Sequence, residues 1–171
     1  MAVITEPSAP VDPNELRALL RRHAASVWVI TAPGNPPAGL TVTSVTSVSL
    51  RPPLVSFCVN RSSSSWPAFS VADYTAVHLL RHDQSEVAKT FATSGIDRFA
   101  AHTDWQHGPH GVPILNNTAA WLLCRITERV PAGDHSIVIA QPIATHSADN
   151  APLLYYNGRF TVLPPAATEE S

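Results

Sequence analysis

Turn-forming clusters cut the middle of this chain into short apolar, β-branched segments that read as strands. From Val27 onward the order is VWVITA, PGNPP, GLTVTSVTSVSL, RPP, LVSFCVN. Pro and Gly at that spacing end each segment before a helix of ordinary length can form, and Val, Ile, Thr and Phe between them favour extended backbone. Later stretches repeat the pattern: YTAVHLL, then TAAWLLCRITERV and SIVIAQPIATHS joined by PAGDH, then LLYYNGRFTVL, read as one final strand. Six or seven strands with a few short helices predict a mainly β domain, most economically an antiparallel, nearly closed barrel.

The Thr-rich strand carries an irregularity. Leu40 and Val42 alternate with Thr41 and Thr43, the phase slips at Ser44 and Val45, and Val48 and Leu50 restore it. A slip of this kind predicts a bulge or bend that turns backbone N–H groups away from a neighbouring strand.

Helices are expected at three places. Asp12, Pro13 and Glu15 form a start signal for an amphipathic helix carrying Leu16, Leu19 and Leu20, which should lean on something larger. Pro67 opens a short helix with Trp66 and Phe69. Asp83 and Glu86 suggest a capping box for a helix through Phe91 that Gly95 ends. Residues 1–11 and 164–171 are Pro-rich or aperiodic and are expected to be flexible tails around one domain at 12–163.

Composition narrows the function. The net charge of −2 and the absence of any Lys/Arg cluster argue against nucleic acid. Arg17, Arg21 and Arg22 read as a solvated helix face. Only 14% of the 171 residues are charged while 44% are hydrophobic, which leaves apolar surface for a partner subunit and predicts a homodimer. Cys58 and Cys124 have no second Cys at metal or redox spacing and read as free thiols of a reducing cytosol. No run approaches the ~20 apolar residues of a membrane helix, and the first residues lack the order of a signal peptide, so a cytoplasmic protein away from membranes is expected.

Four features are candidates for chemistry, each with an ordinary alternative. The hydroxyl-rich strand suits a heterocycle edge that both donates and accepts hydrogen bonds, or is a plain exposed strand face. Asn60–Trp66, NRSSSSW, is either an anion site or a surface turn, with Ser65 also available as a helix cap. Gly133 and Asp134 are everyday hairpin residues, but His135 beside them is placed to point into a cleft. His102, His107 and His110 lack regular ligand spacing, and a lid or dimer-contact loop is expected there in place of a metal site. Neither G-x-S-x-G nor a Gly-rich nucleotide loop is present.

In order and spacing, GLTVTSVTSVSLRPPLVSFCVN, the serine run with Trp66, EVAKTFA, GVPIL with WLLCRI, PAGDH and LLYYNGRF resemble the flavin-reductase-like family over residues 16–162. The resemblance implies a split β-barrel that takes hydride from NADH or NADPH to FMN or FAD and supplies reduced flavin to a partner monooxygenase. It implies that Thr43, Ser44, Val45 and Thr46 wrap the isoalloxazine, with Ser49 at the end of that segment. Asn60, Arg61, Ser64 and Ser65 would hold the ribityl and phosphate groups, and Phe91 would approach the flavin from its helix. His135, the catalytic candidate, and Tyr156 would lie on the nicotinamide side, and the family binds flavin at a homodimer interface. Val45 stands where the family often has an aromatic residue, Ala140 and Gln141 where a Gly is common, and Asn116 and Asn117 where Gly or an acid is usual. Two other readings share the barrel: a flavin oxidoreductase acting on its own organic substrate, and a non-catalytic flavin carrier.

Overall fold

The structure, a computed structural model, describes residues 10–163; of the tails expected at 1–11 and 164–171, residues 1–9 and 164–171 lie outside the described residues. Seven strands form one antiparallel sheet in the order β3-β2-β6-β9-β10-β5-β4. They are β2 (Trp28–Ala32), β3 (Ala38–Val42), β4 (Thr46–Leu50), β5 (Pro53–Asn60), β6 (Tyr74–Leu79), β9 (Ala120–Ala132) and β10 (His135–Ser147). Five short strands make two further sheets: β1 (Ala25–Ser26) with β11 (Leu154–Tyr156) and β12 (Arg159–Thr161), and β7 (Trp105–His107) with β8 (Pro113–Leu115).

The two edges of the main sheet, β3 and β4, are consecutive in the chain and separated only by residues 43–45. Four peptide steps from Val42 to Thr46 span no more than about 14 Å. The sheet must therefore curl until its edges nearly meet, which gives a barrel split along one seam. The phase slip at Ser44–Val45 is the place where the chain leaves one edge and crosses to the other.

Inside the barrel, Ile30, Phe57, Val59, Val77, Cys124 and Val138 are buried together with Phe69 of α2 (Trp66–Val71). Phe69 meets Phe57 edge to face at 6.3 Å, so α2 plugs the barrel. Arg129 of β9 fixes the plug by donating from Nε to the Phe69 carbonyl at 2.8 Å and from Nη2 to that of Ala72. Burial pushes the Cys124 thiol up to about 12, so it is an inert apolar filler. A second core, with Val27, Val29, Leu80, Leu115 and Leu153, seats Phe91 of α3 (Ser85–Ala92) and Phe99 of α4 (Arg98–Ala101). A fully buried aromatic of this kind contributes roughly 2–3 kcal/mol.

Several local expectations change. α1 (Pro13–Leu20) starts as read, with the Asp12 carboxylate accepting from Asn14 N–H at 2.7 Å. Yet its apolar stripe is not packed down: none of its residues is buried, and Leu16, Leu19 and Leu20 are 50%, 66% and 55% exposed. The α3 cap is Gln84 and not Asp83, whose carboxylate is held by the Arg81 guanidinium at 2.6 Å. That guanidinium keeps the Asp83 carboxyl below its usual range. Gly95, at φ +78°, turns the chain after α3 has already ended at Ala92. The His-rich segment is not one open loop but the β7–β8 hairpin with a single 3-10 turn at Pro109–Gly111. The last strand is likewise a hairpin, because Asn157 and Gly158 adopt φ +49° and +81° and fold β12 back on β11.

Candidate functional site

The seam creates the site. Residues 43–45 lie outside both edge ladders, and the Cys58 amide, which has no β4 partner at this level, donates to Ser44 Oγ at 2.9 Å. Thr43 and Ser44 border a cleft of about 910 Å³. Its floor comes from the β5 residues Cys58 and Asn60, which alternate with the buried Phe57 and Val59, and from His135 beside Asn60 in the β10–β5 register. Ser85, Lys89 and Ala92 of α3 form one wall, and Tyr155, Arg159 and Phe160 of the β11–β12 hairpin form the other.

His135 stands at the head of β10, after a turn made by Gly133 at φ +61° and Asp134. Its Nδ1 lies 2.6 Å from the Asp134 carboxylate, and this contact holds the Asp134 carboxyl below its ordinary range. The carboxylate accepts from Nδ1–H, which leaves Nε2 for the cleft. Arg61 fixes the same turn: its amide donates to the Asp134 carbonyl at 3.0 Å and its guanidinium to the Gly133 carbonyl.

A second pocket of about 500 Å³ continues from the cleft through Leu40, Thr41, Asn60 and Ala92, and is edged by Ser62, Ser63, Ser64, Ser94 and Arg98. Asn60 Oδ1 shapes the serine turn by accepting from Ser62 N–H at 2.8 Å and from Ser62 Oγ at 2.7 Å. Arg98 is the cation of this pocket. Its Nη1 donates to the Gly39 carbonyl at 2.7 Å and to Ser65 Oγ at 2.6 Å, and its Nε to the Thr93 carbonyl at 2.9 Å. Partial burial lowers the Arg98 pKa from a value high enough that the group stays charged.

The expected site residues thus separate. Thr43, Ser44, Asn60 and His135 meet at the cleft, and Ser64 and Phe91 reach the adjoining pocket. Val45 packs against the barrel core instead. Thr46 is exposed on β4, and Ser49 Oγ is occupied by the Arg51 amide at 3.2 Å. Ser65 is buried, its hydroxyl donating to the Gly39 carbonyl at 3.0 Å while it accepts from Arg98; it makes no side-chain cap bond to α2. Arg61 is tied to the hairpin turn, and Arg98 stands at the pocket in its place. Tyr155, not Tyr156, faces the cleft, since neighbours on a strand point to opposite faces and Tyr155 pairs with Phe160. Among the described residues no three His, Cys, Asp or Glu side chains converge as metal ligands.

A family model described as the flavin reductase like domain matches residues 20–164. The chain belongs to that family. The NADH:FMN oxidoreductase of Rhodococcus erythropolis is 39% identical over 166 residues, 94% of this chain and 86% of its own length. The reductase component of a 4-nitrophenol 4-monooxygenase/4-nitrocatechol 2-monooxygenase from Rhodococcus opacus is 35% identical, over 88% of this chain and 81% of its own. Among solved structures, the NADH:FAD oxidoreductase SgcE6 of Streptomyces globisporus, in complex with NAD and FAD fragments, superposes with a TM-score of 0.86 at 32% identity, covering 94% of this chain and 99% of that one. In this flavin-reductase-like domain, then, the fold is shared with that structure along nearly the whole chain.

Proposed function

We propose that this flavin-reductase-like domain catalyses hydride transfer from NADH or NADPH to FMN or FAD and delivers the reduced flavin to a partner monooxygenase. The observation that carries the reading is the barrel seam at residues 43–45, which opens unladdered backbone and small hydroxyls onto a cleft holding Asn60 and His135. The names of its relatives, oxidoreductases of NADH with FMN or FAD and a monooxygenase reductase component, support the same activity and the same kind of partner.

The residues present fit such a ligand pair. A cleft of about 910 Å³ lies near the upper end of the range for small-molecule sites and has room for two stacked ring systems. Thr43, Ser44 and Asn60 supply donors and acceptors for a planar edge that needs both. The serine turn with Arg98 suits a phosphate, because hydroxyls and a fixed guanidinium give charge-assisted hydrogen bonds. The bond chemistry is that of the nicotinamide and flavin themselves when bound. The chain contributes orientation and exclusion of water: α3 and the β11–β12 hairpin wall the cleft, while His135, aligned by Asp134, presents Nε2 on the nicotinamide side.

Exposed Val48 and Leu50 on the edge strand β4, at 50% and 82%, together with the low charge, support a homodimer. The free, buried Cys124 accords with a reducing cytosol.

Turnover of nicotinamide with FMN, FAD or no added flavin tests the activity. Oxidation that requires added flavin and exceeds the protein many-fold is expected; a protein that binds flavin and oxidises no nicotinamide is a carrier or acts on another substrate. Replacing His135 by alanine should lower turnover at least roughly tenfold, equivalent to ~1.4 kcal/mol, while changing the flavin dissociation constant less than about threefold, since the imidazole serves the nicotinamide side alone. Equal loss of both would remove His135 from that role.

A further inference from the structure

The cleft has a second extension, unrelated to the serine pocket. A groove of about 700 Å³ runs between α1 and the body of the domain and shares Thr43, Ser44 and Tyr155 with the cleft, but no residue with the serine pocket. Its α1 wall presents Leu16 and Leu20, 50% and 55% exposed, together with Arg17 and Arg21. Neither guanidinium has a carboxylate partner among the described residues; Arg17 donates only to Asn14 Oδ1, at 3.2 Å. His23 adds an imidazole to the lining. Asp134 also borders the groove, but its carboxylate is engaged by His135. The helix is held in place over the groove at its C-terminal end, where Asn157 N–H donates to the Arg21 carbonyl at 2.8 Å.

Apolar side chains beside unpaired guanidinia, on a path that leaves the cleft next to His135, match one kind of occupant: a flat base carried on phosphates. We propose that this groove binds the adenosine-diphosphate end of the nicotinamide dinucleotide, with Leu16 and Leu20 against the adenine and Arg17 and Arg21 on the phosphates. The inference rests on the proposed hydride transfer and adds to it a recognition site for the donor. The flavin's own tail is accounted for at the other extension, by Ser62–Ser64 and Arg98. It also supplies α1 with a reason to carry an apolar stripe that the chain itself leaves uncovered.

The test compares the full chain with an Arg17→Ala/Arg21→Ala variant. Both positions are exposed, Arg17 within α1 and Arg21 at its C-cap with αR backbone, so alanine suits both. The KM for NADH should rise at least tenfold, with kcat and the KM for flavin within twofold. Reduced nicotinamide mononucleotide, which lacks the adenosine end, should be used equally by both proteins. Independently of turnover, calorimetric titration with ADP-ribose should show at least tenfold weaker binding to the variant. An unchanged KM for NADH with unchanged ADP-ribose affinity overturns the proposal. So does a change in sedimentation mass with unchanged ADP-ribose affinity, which would make the groove a subunit contact. A wild-type protein that oxidises no nicotinamide with any flavin refutes the hydride-transfer reading, and the ADP-ribose titration then still decides the groove.

Discussion

Lowering the pH from 7 to 4 is expected to remove about 3 kcal/mol of stability through one side chain, His78. Its ring is fully buried on β6, the strand between β2 and β9, and reaches the end of β8. Nδ1 donates to the Val29 carbonyl at 3.0 Å, and Nε2 accepts from the Leu115 amide at 3.1 Å. Both nitrogens are satisfied only in the neutral ring, since a proton on Nε2 would face the Leu115 N–H. Burial therefore lowers the pKa from 6.5 to about 4, against a smaller opposing effect of the Val29 carbonyl. The unfolded chain takes up its proton first, so stability is complete above pH 6.5 and falls as the pH drops towards 4. The depressed carboxyls Asp83, Asp104 and Asp134 have an ordinary value of 3.8, so their contributions begin to fade only near the acid end of the His78 window and are lost mainly below it. Out of a total of roughly 5–15 kcal/mol for a domain, the loss is large. Urea unfolding at pH 7, 5.5 and 4 measures it. His78→Leu should be less stable at pH 7, because it orphans the Leu115 amide and Val29 carbonyl, yet show a flatter profile between 6.5 and 4. An equal slope in the two proteins would place the titrating group elsewhere.

Gly39→Ala is expected to cost roughly 1–3 kcal/mol and to weaken flavin binding at the same time. A Cβ on Gly39 would stand 2.7 and 2.9 Å from Cε1 and Cδ1 of Phe91 and 3.3 Å from the Ile30 carbonyl oxygen. The Phe91 ring is buried and held by Phe99 and His102, which it meets edge to face at 5.2 and 5.9 Å, so it can yield only towards the serine pocket that it borders. The Gly39 carbonyl also anchors both Ser65 and Arg98, so strain here is passed to the serine pocket. For a chain of this length, a loss of that size lowers Tm by about 2–4 °C per kcal/mol. A calorimetric scan and an FMN titration check the two effects. An unchanged Tm would mean that the ring yields freely and that Phe91 does not oppose the added methyl group.

The sequence is most legible where one residue type has one physical use. Short β-branched runs between Pro and Gly mark the main strands, but GLTVTSVTSVSL, expected as one bulged strand, is two, β3 and β4, because the chain at the phase slip crosses from one sheet edge to the other. It misleads where two readings share a signal. Asp83 looks like a helix cap, but Arg81 two residues earlier is a stronger partner for the carboxylate. Asn157-Gly158 is a hairpin signal in its own right, and it splits LLYYNGRFTVL into the paired strands β11 and β12. Arg61 sits beside the serine run in sequence, whereas Arg98, 33 positions from Ser65, is the cation bound to it in space. No local pattern reports such a pairing, because the helix carrying Arg98 is docked through Phe99 and the buried Phe91. The basic face of α1 reads as solvated for the same reason: only the fold shows that it borders a groove opening from the cleft.

Anaerobic mixing of the purified protein with one equivalent of FMN or FAD and an excess of NADH, followed at the flavin and nicotinamide absorbance bands together, tests the central claim most directly. One nicotinamide oxidised for each flavin bleached, at a rate far above that of the mixture without protein, is the expected result. Flavin that binds and stays oxidised while NADH persists would contradict it.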